Sequence, residues 1–279
     1  MPKSDNIRLI ALDLDGTLLN SAKELTPRSR AALAAAAKAG IEIVPSTGRF
    51  FGGMPEAVRA LPFLRYAITI NGAQVYDIRN DSSLYSALIP LDETLAIMSF
   101  LDGMPLIYDC YMDNQGWMTE AMWNRAEEFA PDEHYRKMMR GLRKPVPELK
   151  AFLREQGRDV QKVQFFTKDL ALRDRLLDEI GRRFPALIVS SSLANNVEIN
   201  NEKANKGDAL LCLAEKLGLS RSQTMAFGDG LNDLRMLADA GIGVAMGNAR
   251  PEVVAVADRV TLSNDSDGVA AVIETLLSD

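Results

Sequence analysis

The chain has 279 residues, 47% hydrophobic and 25% charged, with a formal net charge of -6. That length suits one large domain or two, and the acidic balance offers no basic footprint for nucleic acid. A single histidine excludes a histidine-rich metal site, and the two cysteines, Cys110 and Cys212, read as buried free thiols in a reducing compartment. The polar start M-P-K-S-D-N and the short, acid-bounded run after it read as neither a signal peptide nor a membrane span. A cytoplasmic protein is expected, as a monomer or weak homodimer.

Residues 7–12 form a short apolar run that arrives at Asp13, with Asp15 two positions on and Gly16-Thr17 breaking the pattern. A buried parallel strand that ends this way puts carboxylates at the carboxyl edge of a sheet, where open α/β sheets bind ligands. Two such anions repel each other and call for a cation, a proton or strong donors nearby. Thr26 and Pro27 then read as an N-cap and first helical residue, residues 31–39 as helix, and Gly40 as its stop. Residues 41–44 are a second strand, ending in P-S-T-G-R. Strand, helix and strand make a βαβ unit, so Ser46, Thr47 and Arg49 share the edge with Asp13 and Asp15. A third strand, 66–70, ends in Asn71-Gly72-Ala73, and 74–77 opens a hairpin.

From residue 84 the pattern changes to strands at 84–89, 106–112, 117–119, 160–167, 186–191 and 196–200, with helices at 91–101, 146–156 and 170–184. Asp113-Asn114-Gln115-Gly116 has the composition of a hairpin turn. This stretch reads as an inserted α+β domain, 84–197, between two halves of an α/β core, 1–83 and 198–279. The core resumes with a helix opening at Lys206-Gly207. A strand at 223–227 then runs into G-D-G-L-N-D, and helices and short strands alternate to the end.

Four strand ends thus carry Asp13 and Asp15, then Ser46, Thr47 and Arg49, then Asn71, then Asp229 with Asn232 and Asp233. Lys206 joins them from a helix start. Such an all-oxygen donor set suits Mg²⁺. Arg49, Lys206 and helix N-termini beside it suit an anion. Metal, carboxylate nucleophile and cationic clamp together describe phosphoryl transfer through an aspartyl-phosphate.

D-L-D-G-T-L at 13–18, S-T-G-R at 46–49, N-K-G-D-A-L at 205–210 and G-D-G-L-N-D at 228–233 resemble the four motifs of the haloacid dehalogenase superfamily. The insertion, N-G-A at 71–73, V-A-M-G-N-A at 244–249 and S-N-D-S-D-G-V-A at 263–270 resemble its Cof-type subgroup of sugar-phosphate phosphatases with a C2-type cap. The resemblance implies a Rossmann-like parallel-sheet core whose α+β cap closes over the edge carrying Asp13 and selects the substrate. It implies Asp13 as an ionised nucleophile and Asp15 as the acid and base, its pKa raised. It implies a metal held by Asp13, the Asp15 carbonyl and Asp229, supported by Asn232 and Asp233. Thr47 and Lys206 would orient the phosphoryl group, with Ser46 and Lys203 as alternatives, while Arg49 and Asn71 reach the substrate. Aspartate at the second position is the phosphatase form and argues against carbon–halogen chemistry.

The expected activity is therefore Mg²⁺-dependent hydrolysis of a small phosphate monoester, foremost a sugar phosphate. A sugar phosphomutase and a phosphosugar-binding regulator without turnover are the alternatives. No nucleic acid or membrane partner is expected. D-L-D-G also begins like a calcium loop, but Leu18 stands where the loop needs glycine. The glycine-rich 228–233 stretch lacks the ending of a nucleotide P-loop. In the insertion, Trp117, Trp123, Tyr108 and Tyr111 read as packing, His134 as a surface residue, and 136–143 as a salt-bridged helix face.

Overall fold

The computed structural model describes residues 7–130 and 133–278. The opening M-P-K-S-D-N and Asp279 lie outside the described residues, as does the side chain of His134. The chain divides into two compact units, one formed up to Ser86 and again from Asn205, the other by Ala87–Ala204.

The first segment runs β1 (Leu9–Leu12), α1 (Pro27–Lys38), β2 (Glu42–Pro45), a short helix α2 (Glu56–Arg59), β3 (Tyr66–Thr69), β4 (Gln74–Asp77) and β5 (Ser82–Ser86). Thr26 caps α1, its side chain accepting from the Ser29 amide, and Pro27 fills the first turn, where no amide donor is needed. β3, β4 and β5 form an antiparallel sheet. It continues from β2 through a parallel bridge between Ser46 and Ile68. The strand expected at 84–89 is thus the end of β5, paired to β4 within the α/β unit (Val75 opposite Tyr85). The units divide after Ser86 because that pairing holds the chain until then.

The insertion contains α3 (Leu91–Leu101), β6 (Leu106–Met112), β7 (Gln115–Thr119), α4 (Glu120–Trp123), α5 (Glu133–Gly141), β8 (Arg143–Val146), α6 (Leu149–Gln156), β9 (Lys162–Thr167), α7 (Leu170–Arg183), β10 (Leu187–Ser190) and β11 (Asn196–Asn201). Its sheet has the order β10-β11-β9-β6-β7-β8. Asp113 and Asn114 both take positive φ, 56° and 55°, which makes the β6–β7 turn a mirror-image hairpin turn. One face carries an apolar core of Tyr108, Cys110, Val163, Phe165, Val197 and Ile199 with α3 and α7. The other face bears Ile107 and Phe166 packed on Phe129 and Met139, and beside them a row of buried polar residues. Because β11 continues through Asn201 against β10, the insertion extends to Ala204. Arg136, Lys137 and Arg140 are ion-paired to Glu133 and Glu127, whereas Arg143 has left the helix for β8 and is buried.

The returning segment gives α8 (Lys206–Lys216), β12 (Thr224–Gly228), α9 (Leu234–Asp239), β13 (Ile242–Ala245), α10 (Pro251–Val256), β14 (Arg259–Val260) and α11 (Gly268–Ser278). The parallel sheet has the order β14-β13-β12-β1-β2. Ile10, Leu12, Ile43 and Phe227 face α1 and α11, while Leu9, Ala11, Val44 and Ala226 face α8 and α9. Strands buried on both faces explain why β1 reads as an unbroken apolar run. Both cysteines are free; Cys110 is buried and Cys212 only half-buried. Among the described residues no helix is long and apolar enough to cross a membrane.

Candidate active site

β1 is the switch point of the parallel sheet, since the chain adds β2 on one side of it and β12 on the other. The crevice beyond β1 and β12 is where such sheets bind ligands. Leu12 lies opposite Phe227 and Pro45, and the Asp13 amide donates to the Phe227 carbonyl at 3.0 Å. Register therefore sets Asp13 beside the loop that carries Asp229. Asp13, Asp229 and Asp233 each offer a carboxylate oxygen, and these oxygens lie within 4.8 Å of one another.

Gly16 is what permits this approach. It adopts φ of 92°, and a Cβ there would stand 2.4 Å from Asp229 Oδ2. Thr17, almost fully buried, donates from Oγ1 to Asp229 Oδ1 at 2.8 Å. Asp233 is turned inward: its Oδ2 accepts the amides of Asp229 (3.0 Å) and Gly230 (2.9 Å), and so shapes the loop. Its Oδ1 accepts from Lys206 Nζ at 2.7 Å, and the same ammonium donates to Asp13 Oδ1 at 2.6 Å.

Lys206 is fully buried at the first position of α8, behind the N-cap Asn205, whose side chain accepts from the Asp208 amide. Gly72, with φ of 92°, lets the chain pass so near that a Cβ would meet the Asn205 carbonyl at 2.2 Å. Of the two lysines considered from sequence, Lys206 is the one bonded to Asp13.

At the end of β2, Thr47 Oγ1 accepts the Arg49 amide at 3.2 Å, which leaves its hydroxyl hydrogen to donate. Ser46 Oγ is buried with no hydrogen-bond partner among the described residues. Asn71 has φ of 57°, and its side-chain oxygen accepts from Asn232 Nδ2 at 3.2 Å. Asn232, expected to support the metal, is thus exposed and bonded to Asn71.

Arg49 lies on Asp15 in this structure. Its Nε and Nη2 fork onto the two oxygens of Asp15, both at 3.1 Å, and Nη1 reaches the Gly53 carbonyl at 3.3 Å. Lys23 Nζ adds a second cation to Asp15 at 2.9 Å. Nothing in the local sequence pattern marks Lys23; the fold brings it to Asp15.

In the free protein these partners push the Asp13 and Asp15 carboxyls in opposite directions. Burial pushes the Asp13 carboxyl up to about 8, and Asp233 and Asp229 add to it against the opposing Lys206. Burial also works to raise Asp15, but Arg49 and Lys23 outweigh it and hold Asp15 below the usual carboxylate range. Burial, with Asp233, raises Asp229. Lys206 is held protonated, against its burial, by Asp13 and Asp233.

Three carboxyl groups face one ammonium in an all-oxygen pocket, so ionising all three would leave an excess of negative charge there. That donor set fits a hard divalent cation. Asp13 and Asp229 could hold it. Asp233, spent on Lys206 and two amides, holds the loop in shape.

The fold and this carboxylate–lysine constellation define a hydrolase of the haloacid dehalogenase type. The family model described as haloacid dehalogenase-like hydrolase matches residues 10–273, and the chain belongs to that family, within its Cof-type phosphatases. Over 97% of its length and 100% of the relative's, the chain is 33% identical to the phosphatase YwpJ of Bacillus subtilis. It is 31% identical, over 96% and 95%, to the 5-amino-6-(5-phospho-D-ribitylamino)uracil phosphatase YcsE of the same organism. A solved haloacid dehalogenase-like hydrolase from Bacteroides thetaiotaomicron superposes with a TM-score of 0.83 at 28% identity, covering 97% of this chain and 99% of that one.

Proposed function

We propose that the protein hydrolyses a small phosphate monoester, foremost a sugar or sugar-alcohol phosphate, with Mg²⁺ and through an aspartyl-phosphate on Asp13. The observation that carries this reading is the convergence of Asp13, Asp229 and Asp233 with buried Lys206 beyond β1 and β12. One relative is named as a 5-amino-6-(5-phospho-D-ribitylamino)uracil phosphatase, which supports a small phosphate ester as the substrate. The cation, when bound, supplies charge that favours the ionised form of Asp13 and offsets its repulsion with a phosphate dianion.

In the first step an Asp13 oxygen attacks phosphorus, the ester P–O bond breaks, and Asp15 gives its proton to the leaving oxygen. In the second, Asp15 takes a proton from water as that water attacks phosphorus, and the bond to Asp13 breaks with release of phosphate. Lys206 and the Thr47 hydroxyl donate to the phosphoryl oxygens. Asp15 is held ionised by two cations in the free protein; when the bound phosphate competes for Arg49, Asp15 Oδ2 is freed to carry the proton while Lys23 stays on Oδ1. This gives Arg49 its role at the substrate. We assign substrate selection to the 87–204 insertion.

The test is phosphate release from a panel of sugar phosphates, nucleotides and pyridoxal phosphate, with Mg²⁺ or with EDTA, and with Asp13→Asn as control. Release that needs Mg²⁺ and disappears in Asp13→Asn is expected. Release surviving both EDTA and Asp13→Asn overturns the mechanism.

A further inference from the structure

Asp15 meets two cations, and only Arg49 belongs to a recognised motif. The other comes from a turn after β1. Asn20 N–H donates to the Glu24 carbonyl (3.1 Å), Lys23 N–H to the Asn20 carbonyl (2.8 Å), and the Glu24 amide to Asn20 Oδ1 (2.9 Å). At the apex Lys23 itself takes φ of 63°. A left-handed conformation costs a non-glycine residue about 1–2 kcal/mol, and glycine or asparagine would fit it better. The ion pair does not offset that cost, because both partners reach solvent, with side chains 49% and 34% exposed. The turn thus carries a lysine that stability does not require.

The same loop is fixed from a distance by the two late motifs, which the reaction leaves without a role. Asn248 Nδ2 donates to the Gly16 carbonyl at 2.8 Å, and its Oδ1 accepts the Asn264 amide at 3.0 Å. Buried Asn264 donates to the Leu19 carbonyl at 2.9 Å. Asp265 accepts both the amide and the hydroxyl of Ser21 at 2.7 Å, and Asp267 accepts the hydroxyls of Thr26 (2.5 Å) and Ser29 (3.3 Å). Residues at 248 and 264–267 thereby hold the chain from Gly16 to Ser29 at several points.

We propose that Lys23 is a positioning residue of the reaction: the strapped loop delivers its ammonium to the Asp15 side chain and holds that carboxyl toward the leaving oxygen while Arg49 engages the phosphate. This rests on Asp15 being the acid of the proposed phosphatase. Asn248, Asn264 and Asp265 serve the same end one step further out, by keeping the loop in register with Gly16.

The test compares two classes of ester on Lys23→Ala, Lys23→Arg and Asp265→Ala, each checked for folding by thermal melting. A poor leaving group, such as a sugar or alkyl phosphate, needs the acid, whereas 4-nitrophenyl phosphate leaves without it. For Lys23→Ala, kcat on the alkyl ester should fall about 10- to 100-fold and on the aryl ester less than about 3-fold, with KM little changed. Lys23→Arg should restore most of the alkyl activity. Asp265→Ala, which leaves Lys23 in place, should show the same selective loss at about 3-fold. Equal losses on both esters, a change confined to KM, or no loss in Lys23→Ala would each overturn the proposal. Wild-type protein inactive on both esters would instead overturn the phosphatase reading itself.

Discussion

At the scale of single residues the site is a problem in charge. Asp13 and Asp15 are separated by one residue, yet their surroundings push them in opposite directions: burial raises Asp13, while Arg49 and Lys23 hold Asp15 down. Gly16 lets Asp229 lie close by, since its missing side chain is the space that Asp229 fills. Replacing it with alanine sets a methyl group against the Asp229 carboxylate and strains a backbone at φ of 92°. Asp229 must then move by about an ångström, and displacements of that size cost on the order of 100-fold in rate. Gly16→Ala should therefore lose at least about 100-fold in kcat, with a stability loss of about 1–2 kcal/mol from the backbone alone. Steady-state kinetics and thermal melting check both. Full activity in the variant would mean that Asp229 does not need its observed place.

At the scale of elements, what the sequence disclosed and what it hid divide along physical lines. β1, α1 and the hairpin turn beginning at Asp113-Asn114 were readable because each is written in local chemistry: an apolar run, a threonine–proline cap, a turn composition. Asp13, Asp229 and Lys206 were readable because each ends or begins such an element. Lys23 and the grip of Arg49 on Asp15 were hidden, since both depend on side chains meeting across the sheet edge. The polar face of the insertion was hidden for a related reason. Asp109, Tyr111, Lys162, Gln164 and Glu198 alternate with apolar residues, the pattern of a solvated strand face, yet all are buried. Strand register brings Asp109 opposite Gln164, Tyr111 opposite Lys162, and Glu198 opposite Gln164. Arg143 Nε then donates to Asp109 at 3.0 Å, and Gln164 bridges Asp109 and the Tyr111 hydroxyl. Arg143→Ala leaves the Asp109 charge buried without its ion partner and should destabilise the protein by about 3–5 kcal/mol. Adding Asp109→Leu should recover part of that loss. Urea denaturation of the single and double variants decides it, and a single variant within about 0.5 kcal/mol of wild type would show the pair to be solvated.

At the scale of the whole molecule, the acid cluster becomes a term in global stability through proton and metal linkage. A carboxyl raised from 3.8 to about 8 stabilises the fold fully only below its unfolded value, and that contribution is lost as the pH rises toward 8. Asp229, also raised, has the same sign. Asp15, being lowered, acts only as pH falls below 3.8 and stays out of this interval. With one histidine in the chain, few other groups titrate between about pH 5 and 8. Protein stripped of divalent cations should therefore melt at a lower temperature at about pH 8 than at about pH 5, and Asp13→Asn should flatten that slope. A cation that binds the ionised cluster reverses the trend. At roughly 100 times its dissociation constant it adds about 2.7 kcal/mol, a rise of several degrees in Tm. At low pH it must displace the Asp13 proton, so the gain shrinks. Mg²⁺ should thus raise Tm more at the higher pH, and the difference should be small in Asp13→Asn. A Tm indifferent to Mg²⁺ at both pH values would show that these carboxylates do not hold the ion. A Mg²⁺ effect as large in Asp13→Asn as in wild type would move the ion's site away from the residue that the whole sheet edge is built to present.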